Sequence, residues 1–447
     1  MDKTDKHSDS ESMRFIAAGS AMYTRRVSVS KNERFLDLVN LIRSCDVGFM
    51  NMEGLIRDMT AYPLKPYSFA SYFNGESWLA EEYKWTGFNM CSLANNHTTD
   101  WSPEAMYTTE RLLDAAGIVH AGTGVNLTAA RQPAFFDTPK GRVSLISIDS
   151  SYEYHEFAQV QMASEPRGSV PGRPGMNGIR FDCFYEVDEQ TLADLRSIQR
   201  KLGLRMPTVN KEIDNETDLF FSNGGAPGIR FKLGTEVGFH TKAFTQDVDA
   251  NLRWVKSAVA MSDHVLVTHH THALGDHKSG PFAPVPAQFV SDFAHACIDA
   301  GATAYLGHGM HGKGVEIYKG KPIFYDLGWF SWQVETLTRI PSDGYENWGL
   351  DAHATPTDFA KARPGGGFGS AGFFDGVLSE FTMNGDKLVS VILHPITMGR
   401  DLPVWQHGLP MLATGTTAKA IIERYQKMSE PFGTRIDYEN GVGVIRL

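Results

Sequence analysis

A chain of 447 residues is long enough for one elaborated domain or two domains, and its hydrophobic fraction of 42% is ordinary for a globular protein. The formal net charge of −10 argues against nucleic acid as the main partner, because phosphate binding requires a basic face. No apolar run approaches the roughly 20 residues that span a bilayer. The polar residues 1–12, which we expect to be a disordered leader, lack the apolar stretch of a secretory signal. The sequence therefore predicts a cytoplasmic protein without a membrane span and leaves its oligomeric state open.

The cysteines are far apart and show no CxxC spacing; they are Cys45, Cys91, Cys183 and Cys297. Cys91 and Cys297 lie in apolar segments, so we expect them to be buried free thiols.

Strand-like and helix-like segments alternate over the first third of the chain. In chain order the prediction is strand 13–19, helix 34–44, strand 46–52, helix 76–86, strand 88–94, helix 102–116 with Ser102 as its N-cap, strand 118–121 and strand 142–149. From residue 150 to about 246 the pattern weakens, the chain is rich in Gly and Pro, and one helix is predicted at 188–202. We interpret this stretch as an irregular insertion that forms, with 365–372, a wall facing the substrate.

Regular structure returns after the insertion. The prediction continues with helix 248–261, a strand from 265 into a group of histidines, helix 286–300, strand 302–306, a hairpin over 315–327, a loop over 351–372, a second hairpin within 375–394 and helix 416–428. Asn384-Gly385 is the strongest hairpin-turn signal in the chain. We therefore expect a single domain over 13–447, with a C-terminal β-hairpin and helix extension from about residue 375.

The segment 265–277 reads VLVTHHTHALGDH and contains four histidines within nine residues: His269, His270, His272 and His277. Alternate residues of a strand point the same way, so His270 and His272 can face one point while His269 faces the other side. Two neutral imidazoles that converge form a natural site for a transition metal. The alternative is a solvated histidine-rich loop.

Polar residues of the kinds that bind ligands recur where predicted strands end: Ser20, Glu53, Asn96-His97, His270 with His272, and His308 with His311. Sites in open α/β sheets gather outside the carboxyl ends of the strands, so we expect these residues to meet. Asp100 could orient a histidine or cap a helix. Arg25 and Arg26 could bind an anionic substrate group, or form a solvated basic turn.

The motif order GSAM, NMEG, ANNHTTDW, THHTH, GHGMHG and PIFYDLGWF resembles the CapA family, named for poly-γ-glutamate capsule proteins, within the calcineurin-like metallophosphatase superfamily. The resemblance covers about residues 15–332 and implies an α/β fold, a metallophosphatase-like four-layer αββα sandwich with metal ions bound between its sheets. The implied metal ligands are Glu53, Asn96, His270, His272, His308 and His311, which would hold one or two divalent transition metal ions (Mn, Fe or Zn) per chain.

The resemblance also implies a catalytic chemistry. We expect a metal-dependent hydrolase in which a metal-activated water attacks an amide bond, γ-glutamyl or peptide-like, or a phosphoester bond. His97 would act as the proton donor beside Glu53, and Ser20, Arg25 and Arg26 would contact the small-molecule or peptide-like substrate.

This sequence departs from the CapA pattern at several positions. Ser20 and Ala273 replace acidic residues, and Trp329 replaces a polar one. Two alternatives follow: a binding or accessory protein that has lost turnover, and an enzyme that runs a different reaction at one metal ion.

Overall fold

The computed structural model describes residues 12–57, 61–64, 73–151, 162–204, 215–221, 228–275, 285–309, 312–362 and 371–447. The strands in these ranges are β1 (Met13–Met22), β2 (Val47–Met52), β3 (Leu55–Arg57), β4 (Asn74–Glu76), β5 (Met90–Ser92), β6 (Val119–Ala121), β7 (Thr123–Gly124), β8 (Ala134–Thr138), β9 (Gly141–Asp149), β10 (Gly175–Met176), β11 (Phe181–Val187), β12 (Asp218–Phe221), β13 (Ile229–Leu233), β14 (Gly238–Ala243), β15 (His264–His270), β16 (Ala304–His308), β17 (Val315–Tyr318), β18 (Lys321–Phe324), β19 (Trp329–Trp332), β20 (Asp375–Asn384), β21 (Lys387–Thr397), β22 (Met411–Leu412), β23 (Ile436–Glu439) and β24 (Val442–Ile445).

The α-helices of the same ranges are α1 (Glu33–Arg43), α2 (Leu79–Thr86), α3 (Ser102–Ala116), α4 (Leu127–Arg131), α5 (Glu189–Lys201), α6 (Thr245–Val259), α7 (Gln288–Asp299), α8 (Ser342–Glu346), α9 (Pro356–Ala362), α10 (Ala371–Phe374) and α11 (Gly415–Ser429). The protein is therefore mixed α/β, as the sequence predicted. None of the helices in the described ranges combines the length and the apolar character needed to cross a bilayer.

The larger sheet has the strand order β23-β24-β21-β20-β1-β2-β5-β6, with β19 also paired to β1 and β22 to β21. Strand β1 runs parallel to β2 and β19 and antiparallel to β20. The predicted C-terminal hairpin is thus part of this sheet, and Gly385 in its turn has a positive φ of 54°. Because parallel strands end at the same edge, the carboxyl ends of β1, β2 and β5 lie together.

The second sheet has the order β17-β18-β16-β15-β9-β8. Strand β15 lies between β9 and β16 and is parallel to both, so His270 is paired with Asp149 on one side and with His308 on the other. This register places the last residues of three strands side by side.

One apolar cluster joins side chains from both sheets, among them Phe15 and Phe49 of the larger sheet and Leu145, Leu266 and Leu306 of the second sheet. A second cluster packs α1, α2 and α3 against the larger sheet, and a third packs α6 and α7 against the second sheet. Burying apolar surface on both faces explains why these strands read as continuous hydrophobic runs.

The stretch from 150 to 246 is more regular than the sequence predicted. Helix α5 confirms the helix expected at 188–202, but β11, β13, β12 and β14 form a separate four-stranded sheet. These strands alternate aromatic and charged residues and are only half-buried, so they lack the apolar runs that revealed the other strands. The expected loop 351–372 likewise contains α9.

Ser102 is another correction, because it is the first residue of α3 and not its N-cap. Its φ is 69°, and its hydroxyl donates to Glu104 Oε2 at 2.5 Å. Cys91 and Cys297 are buried free thiols, as predicted. The leader up to residue 11, His277, His311 and most of 365–372 lie outside the described residues.

Candidate functional site

The predicted strand-end residues meet where the carboxyl ends of the two sheets face each other. Ser20 lies near the end of β1, Glu53 follows β2, and His270 and His308 are the last residues of β15 and β16. All of them are buried, and His270 and His308 are fully so. The apolar runs that form the strands therefore bring polar groups into an interior position, where each needs a partner.

Asn51 connects the two sheets within this cluster. Its amide Nδ2 donates to Ser20 Oγ at 3.0 Å and to Glu53 Oε2 at 3.2 Å, and it lies 3.5 Å from His270 Nδ1. Asn95 donates in turn to Asn51 Oδ1 at 3.2 Å and to the main-chain oxygen of Met52. Asn51 precedes Glu53 by two residues, so the alternation along a strand could have revealed it.

His270 and His308 face each other directly, with 2.8 Å between their Nδ1 atoms. His308 Nε2 lies 2.6 Å from Thr268 Oγ1, whereas His270 Nε2 is buried and has no hydrogen-bond partner among the described residues. Burial lowers the pKa of both imidazoles well below its ordinary value, and the other histidines nearby lower it further. Both rings are therefore neutral, and the tautomer with its proton on His270 Nδ1 leaves a lone pair on Nε2.

His97 forms a second unit at the edge of the cluster. Its Nδ1 lies 2.7 Å from Asp100 Oδ2, its Nε2 lies 3.7 Å from Glu53 Oε1, and its ring stacks on Phe73 at 4.1 Å between centroids. The main-chain N–H of Phe73 also donates to Asp100 Oδ2, at 3.0 Å. Asp100 thus orients the imidazole, as one of the two sequence interpretations expected, and turns Nε2 toward Glu53.

Glu53 is the buried acid between these two units. Burial raises the pKa of its carboxyl; His97, a hydrogen bond from Ser20 and then His272 act in the opposite direction, and Asp326 adds to the rise. The carboxylate form is therefore short of positive charge in its surroundings. A cation placed beside it would stabilise that form.

The remaining predicted residues lie at different distances from this centre. Asn96 is buried next to His97, and the half-buried ring of His272 has its centroid 5.2 Å from that of His270. Arg25 donates to main-chain oxygens of residues 405 and 407, and Arg26 lies 3.3 Å from Glu82 Oε1. These contacts hold the turn after β1 in place, and a role of the two arginines in substrate binding stays a prediction.

His269 points to the opposite side of β15 from His270, as alternation along a strand predicted. Its Nδ1 lies 2.5 Å from the Tyr305 hydroxyl and its Nε2 lies 2.7 Å from Ser150 Oγ. Both ring nitrogens are therefore occupied by neutral partners, and His269 supports the strand from behind.

Two buried acids at strand ends were not predicted as site residues from the sequence. Asp149 ends β9 opposite His270 and accepts from the Ser151 hydroxyl at 2.6 Å. Asp326 follows β18, and its Oδ1 accepts from the N–H of Gly328 at 2.8 Å. Both follow apolar runs, so the rule that found Glu53 could also have found them.

A cavity of about 10 Å³ adjoins Glu53. Its lining is mainly apolar and includes Met22, Tyr23, Met52, Leu55 and Leu79. The Tyr23 and Tyr83 rings, which stack at 4.9 Å, close one side of it. The cavity is therefore about the size of a single water molecule.

The donor chemistry of the cluster suits a transition metal, because it combines neutral imidazoles, a buried carboxyl and amide oxygens. The buried Nε2 of His270 is an unused ligand atom of this kind. The groups are nevertheless drawn together by their mutual hydrogen bonds, and among the described residues no three histidine, cysteine or carboxylate side chains stand in a ligating arrangement. Bound metal would thus have to replace the direct contact between His270 and His308.

The fold and the cluster define a mixed α/β protein with a buried histidine, asparagine and carboxylate site at the meeting ends of two sheets. The chain belongs to the bacterial capsule synthesis protein family PGA_cap, the CapA capsule synthesis family, whose model matches residues 14–332. That family is metallophosphatase-like, and the matched range contains every residue of the cluster described above.

Two Sinorhizobium fredii (strain NBRC 101917 / NGR234) proteins, y4sH and y4uA, are each 34% identical to the chain over 447 residues, covering 97% of this chain and 92% of each relative. A Mycobacterium tuberculosis (strain CDC 1551 / Oshkosh) protein named probable polyglutamine synthesis accessory protein MT0602 is 23% identical over 241 residues, covering 54% of this chain and 44% of that protein. The chain is thus similar to a protein named as a probable polyglutamine synthesis accessory protein over about half of its length.

Proposed function

We propose that the protein is a metal-dependent hydrolase of the CapA type, which cleaves an amide bond, γ-glutamyl or peptide-like, or a phosphoester bond. The observation that carries this proposal is the buried cluster in which His97, Glu53, His270 and His308 meet within the family's matched range. Scattered core histidines would not be expected to converge at the ends of strands from two different sheets.

The layered packing supports a four-layer αββα sandwich as the scaffold of this site. Apolar side chains of both sheets share one core, and helices cover the far face of each sheet. In such an arrangement the strand ends of the two sheets open onto one common edge, where side chains from both can reach the same ligand.

The residues that would hold the metal are Glu53, Asn96, His270, His272, His308 and His311, with one or two divalent Mn, Fe or Zn ions per chain. When bound, such an ion lowers the pKa of water and polarises the bond to be cleaved. Neutral imidazoles are suited to this role because their ring nitrogens keep lone pairs at neutral pH.

His97 is placed to hold and deliver a proton. Asp100 accepts a hydrogen bond from Nδ1, and this fixes the ring so that Nε2 faces Glu53. A protonated Nε2 can then donate to the oxygen or nitrogen of the leaving group. Phe73, stacked on the ring, keeps water from one face of it.

Two features of the relatives bear on the substrate class. The M. tuberculosis relative carries a name that connects it with polyglutamine synthesis, which favours an amide linkage between amino acids. The metallophosphatase-like character of the family favours a phosphoester instead.

A hydrolysis panel tests the proposal. The protein is stripped with a chelator, reloaded separately with Mn, Fe or Zn, and given γ-glutamyl-p-nitroanilide, an alanyl peptide amide and p-nitrophenyl phosphate. We expect metal-dependent cleavage of at least one probe and its loss when the chelator is added back. Tight binding of γ-glutamyl peptides without cleavage of any probe at any metal would contradict the proposal and indicate an accessory binding protein.

A further inference from the structure

The site contains a second buried acid that no sequence motif had assigned to it. We propose that Asp326 is a carboxylate of this site, that it supplies beside Ser20 the negative charge that position 20 lacks, and that buried Lys313 is its counter-ion. This inference rests on the proposed metal-dependent function.

The main chain brings Asp326 next to the end of β1. Ser20 N–H donates to Gly328 O at 2.9 Å, and Gly328 N–H donates to Asp326 Oδ1 at 2.8 Å. The two main chains are in close contact here, since a Cβ on Gly19 would lie 1.9 Å from Gly328 O. The carboxyl is thus held beside the strand that carries Ser20.

The same segment also touches the second sheet. Leu327 N–H donates to Gly307 O at 2.8 Å, one residue before His308. Asp326 is 3% exposed, and Glu53, whose N–H donates to Ala21 O at 3.2 Å, adjoins the same end of β1, so both acids lie at this strand end in the protein interior. Asp326 therefore stands between the two strand ends that the site joins.

A pair of buried acids is costly unless a cation offsets it. His270 provides an independent sign that a cation binds here, because its Nε2 is fully buried and has no hydrogen-bond partner among the described residues. Lys313 is the cation that the chain itself provides: it is 4% exposed, and its main-chain N–H donates to the main-chain oxygen of Asp326 at 2.9 Å. Burial lowers the pKa of its ammonium group, and the charge of Asp326 acts against that shift.

The charges of Asp326 and Lys313 should have opposite effects on metal binding. Asp326 attracts a dication bound at the site, and the Lys313 ammonium competes with that dication. Neutralising the acid should therefore weaken metal binding, and neutralising the lysine should strengthen it. A purely structural ion pair would behave differently, since loss of either partner would damage the fold and weaken binding in both cases.

The experiment compares Asp326→Asn and Lys313→Met with the full-length wild-type chain. Bound Mn²⁺ and Zn²⁺ per chain are measured after equilibrium dialysis against each metal alone, and the rise in Tm that each metal causes is measured in parallel. Glu380→Gln, which removes a buried acid at the other end of β1, is the matched control. The double variant Ser20→Asp/Asp326→Asn moves the carboxyl to position 20.

We expect Asp326→Asn to raise the apparent Kd for metal at least tenfold, as loss of a group near or at the metal does. Lys313→Met should lower the Kd, the double variant should recover most of the lost affinity, and Glu380→Gln should leave the Kd unchanged. Equal metal binding by Asp326→Asn and wild type would overturn the inference. So would weaker or unchanged binding by Lys313→Met, which decides the matter if Asp326→Asn does not fold. A wild-type chain that binds neither metal would instead overturn the proposed function together with this inference.

Discussion

A buried acid lies near each end of strand β1, but the surroundings of the two acids are opposite. Near the amino end, Glu380 on β20 accepts from Arg14 at 2.7 Å and lies 2.9 Å from His394 Nε2. Near the carboxyl end, Glu53 lies among Asn51, Ser20 and His97, with 3.7 Å to His97 Nε2.

Their pKa values shift in opposite directions as a result. Burial alone would raise the pKa of Glu380, but hydrogen bonds from His394 and Arg14 outweigh burial and lower it. Burial raises the pKa of Glu53, and its partners do not overcome that effect. The charge of Glu380 is therefore balanced by its own partners, and that cluster stabilises the fold. The charge of Glu53 is not balanced in this way, so a bound cation would stabilise it, as at sites that bind or react.

The largest expected effect is on catalysis at the carboxyl end. His97→Ala should lower the rate of metal-dependent hydrolysis by about 10²- to 10⁴-fold, the contribution of a positioned acid or base. His120→Ala is the matched control, because His120 also pairs with an aspartate, Asp114, at 3.2 Å but lies away from the cluster. Steady-state rates of both variants against the cleaved probe measure this. Equal rates for His97→Ala and His120→Ala would remove His97 from the mechanism.

Acid should destabilise the carboxyl end through its buried histidines. Burial lowers the pKa of His269 to about 3 from its ordinary 6.5. Below pH 6.5 the imidazole of His269 is therefore protonated in the unfolded chain, whereas in the folded chain it is protonated only below about pH 3. The free energy of unfolding of the metal-free protein should fall in this window by about 1.4 kcal/mol per pH unit for this group.

Urea unfolding of the metal-free protein at several pH values measures this effect, and His269→Gln should flatten the dependence. The Glu380 cluster behaves differently, since its lowered pKa contributes stability that is lost only below the ordinary carboxyl range, near 4.5. Identical slopes for wild type and His269→Gln between pH 6.5 and 5 would show that His269 is not buried in the neutral form.

Neutralising Glu380 and Glu53 separately tests how each acid contributes to the free energy of unfolding. Glu380→Gln should lower the free energy of unfolding by about 2 kcal/mol, because it weakens hydrogen bonds to charged partners. Glu53→Gln should leave it unchanged or raise it in the metal-free protein, because it removes a buried carboxyl whose charged form is disfavoured. Chemical denaturation in the presence of a chelator measures both. A loss of stability in Glu53→Gln as large as in Glu380→Gln would erase the distinction between the two ends.

The sequence predicted the strand-end residues because their positions follow from local patterns. A buried apolar run defines a strand, and the first polar residue after it marks the strand end, which is how Glu53, His270 and His308 were found. The rule that sites gather outside the carboxyl ends of strands predicted that they meet, and the family resemblance added the expectation that they bind metal. The parallel central strands of the two mixed sheets bring them together. Asp326 follows a strand in the same way, but its closeness to Ser20 depends on pairing between β1 and β19, about 300 residues apart.

Other contacts could not have been predicted from local sequence. Arg25 and Arg26 look like a basic turn, yet their partners are main-chain atoms near residue 406 and the side chain of Glu82. The sheet formed by β11 to β14 was missed because its half-buried strands lack continuous apolar runs, although the alternation of apolar and charged residues in β13 could have revealed that strand. The partners of the two arginines are set by tertiary pairing, which leaves no periodic pattern.

Ser20→Asp should have the smallest effect. The new carboxylate would lie close to Glu53 and Asp326, so metal-free protein should lose stability through repulsion. With Mn²⁺ or Zn²⁺ present, occupancy of the more weakly held metal position should rise a few-fold. Differential scanning calorimetry with and without metal measures both changes. A Tm and a metal content equal to those of wild type would show that residue 20 is not at the site.

Metal content per chain decides whether the cluster at the carboxyl ends of the two sheets binds metal. Wild type, His270→Ala, His308→Ala and the control His394→Ala, taken from the amino-end cluster, are dialysed against Mn²⁺ or Zn²⁺ and analysed by inductively coupled plasma mass spectrometry. We predict one or two ions per chain in wild type and His394→Ala, and at least about tenfold less in the other two variants. Unchanged metal content in both His270→Ala and His308→Ala would contradict the account.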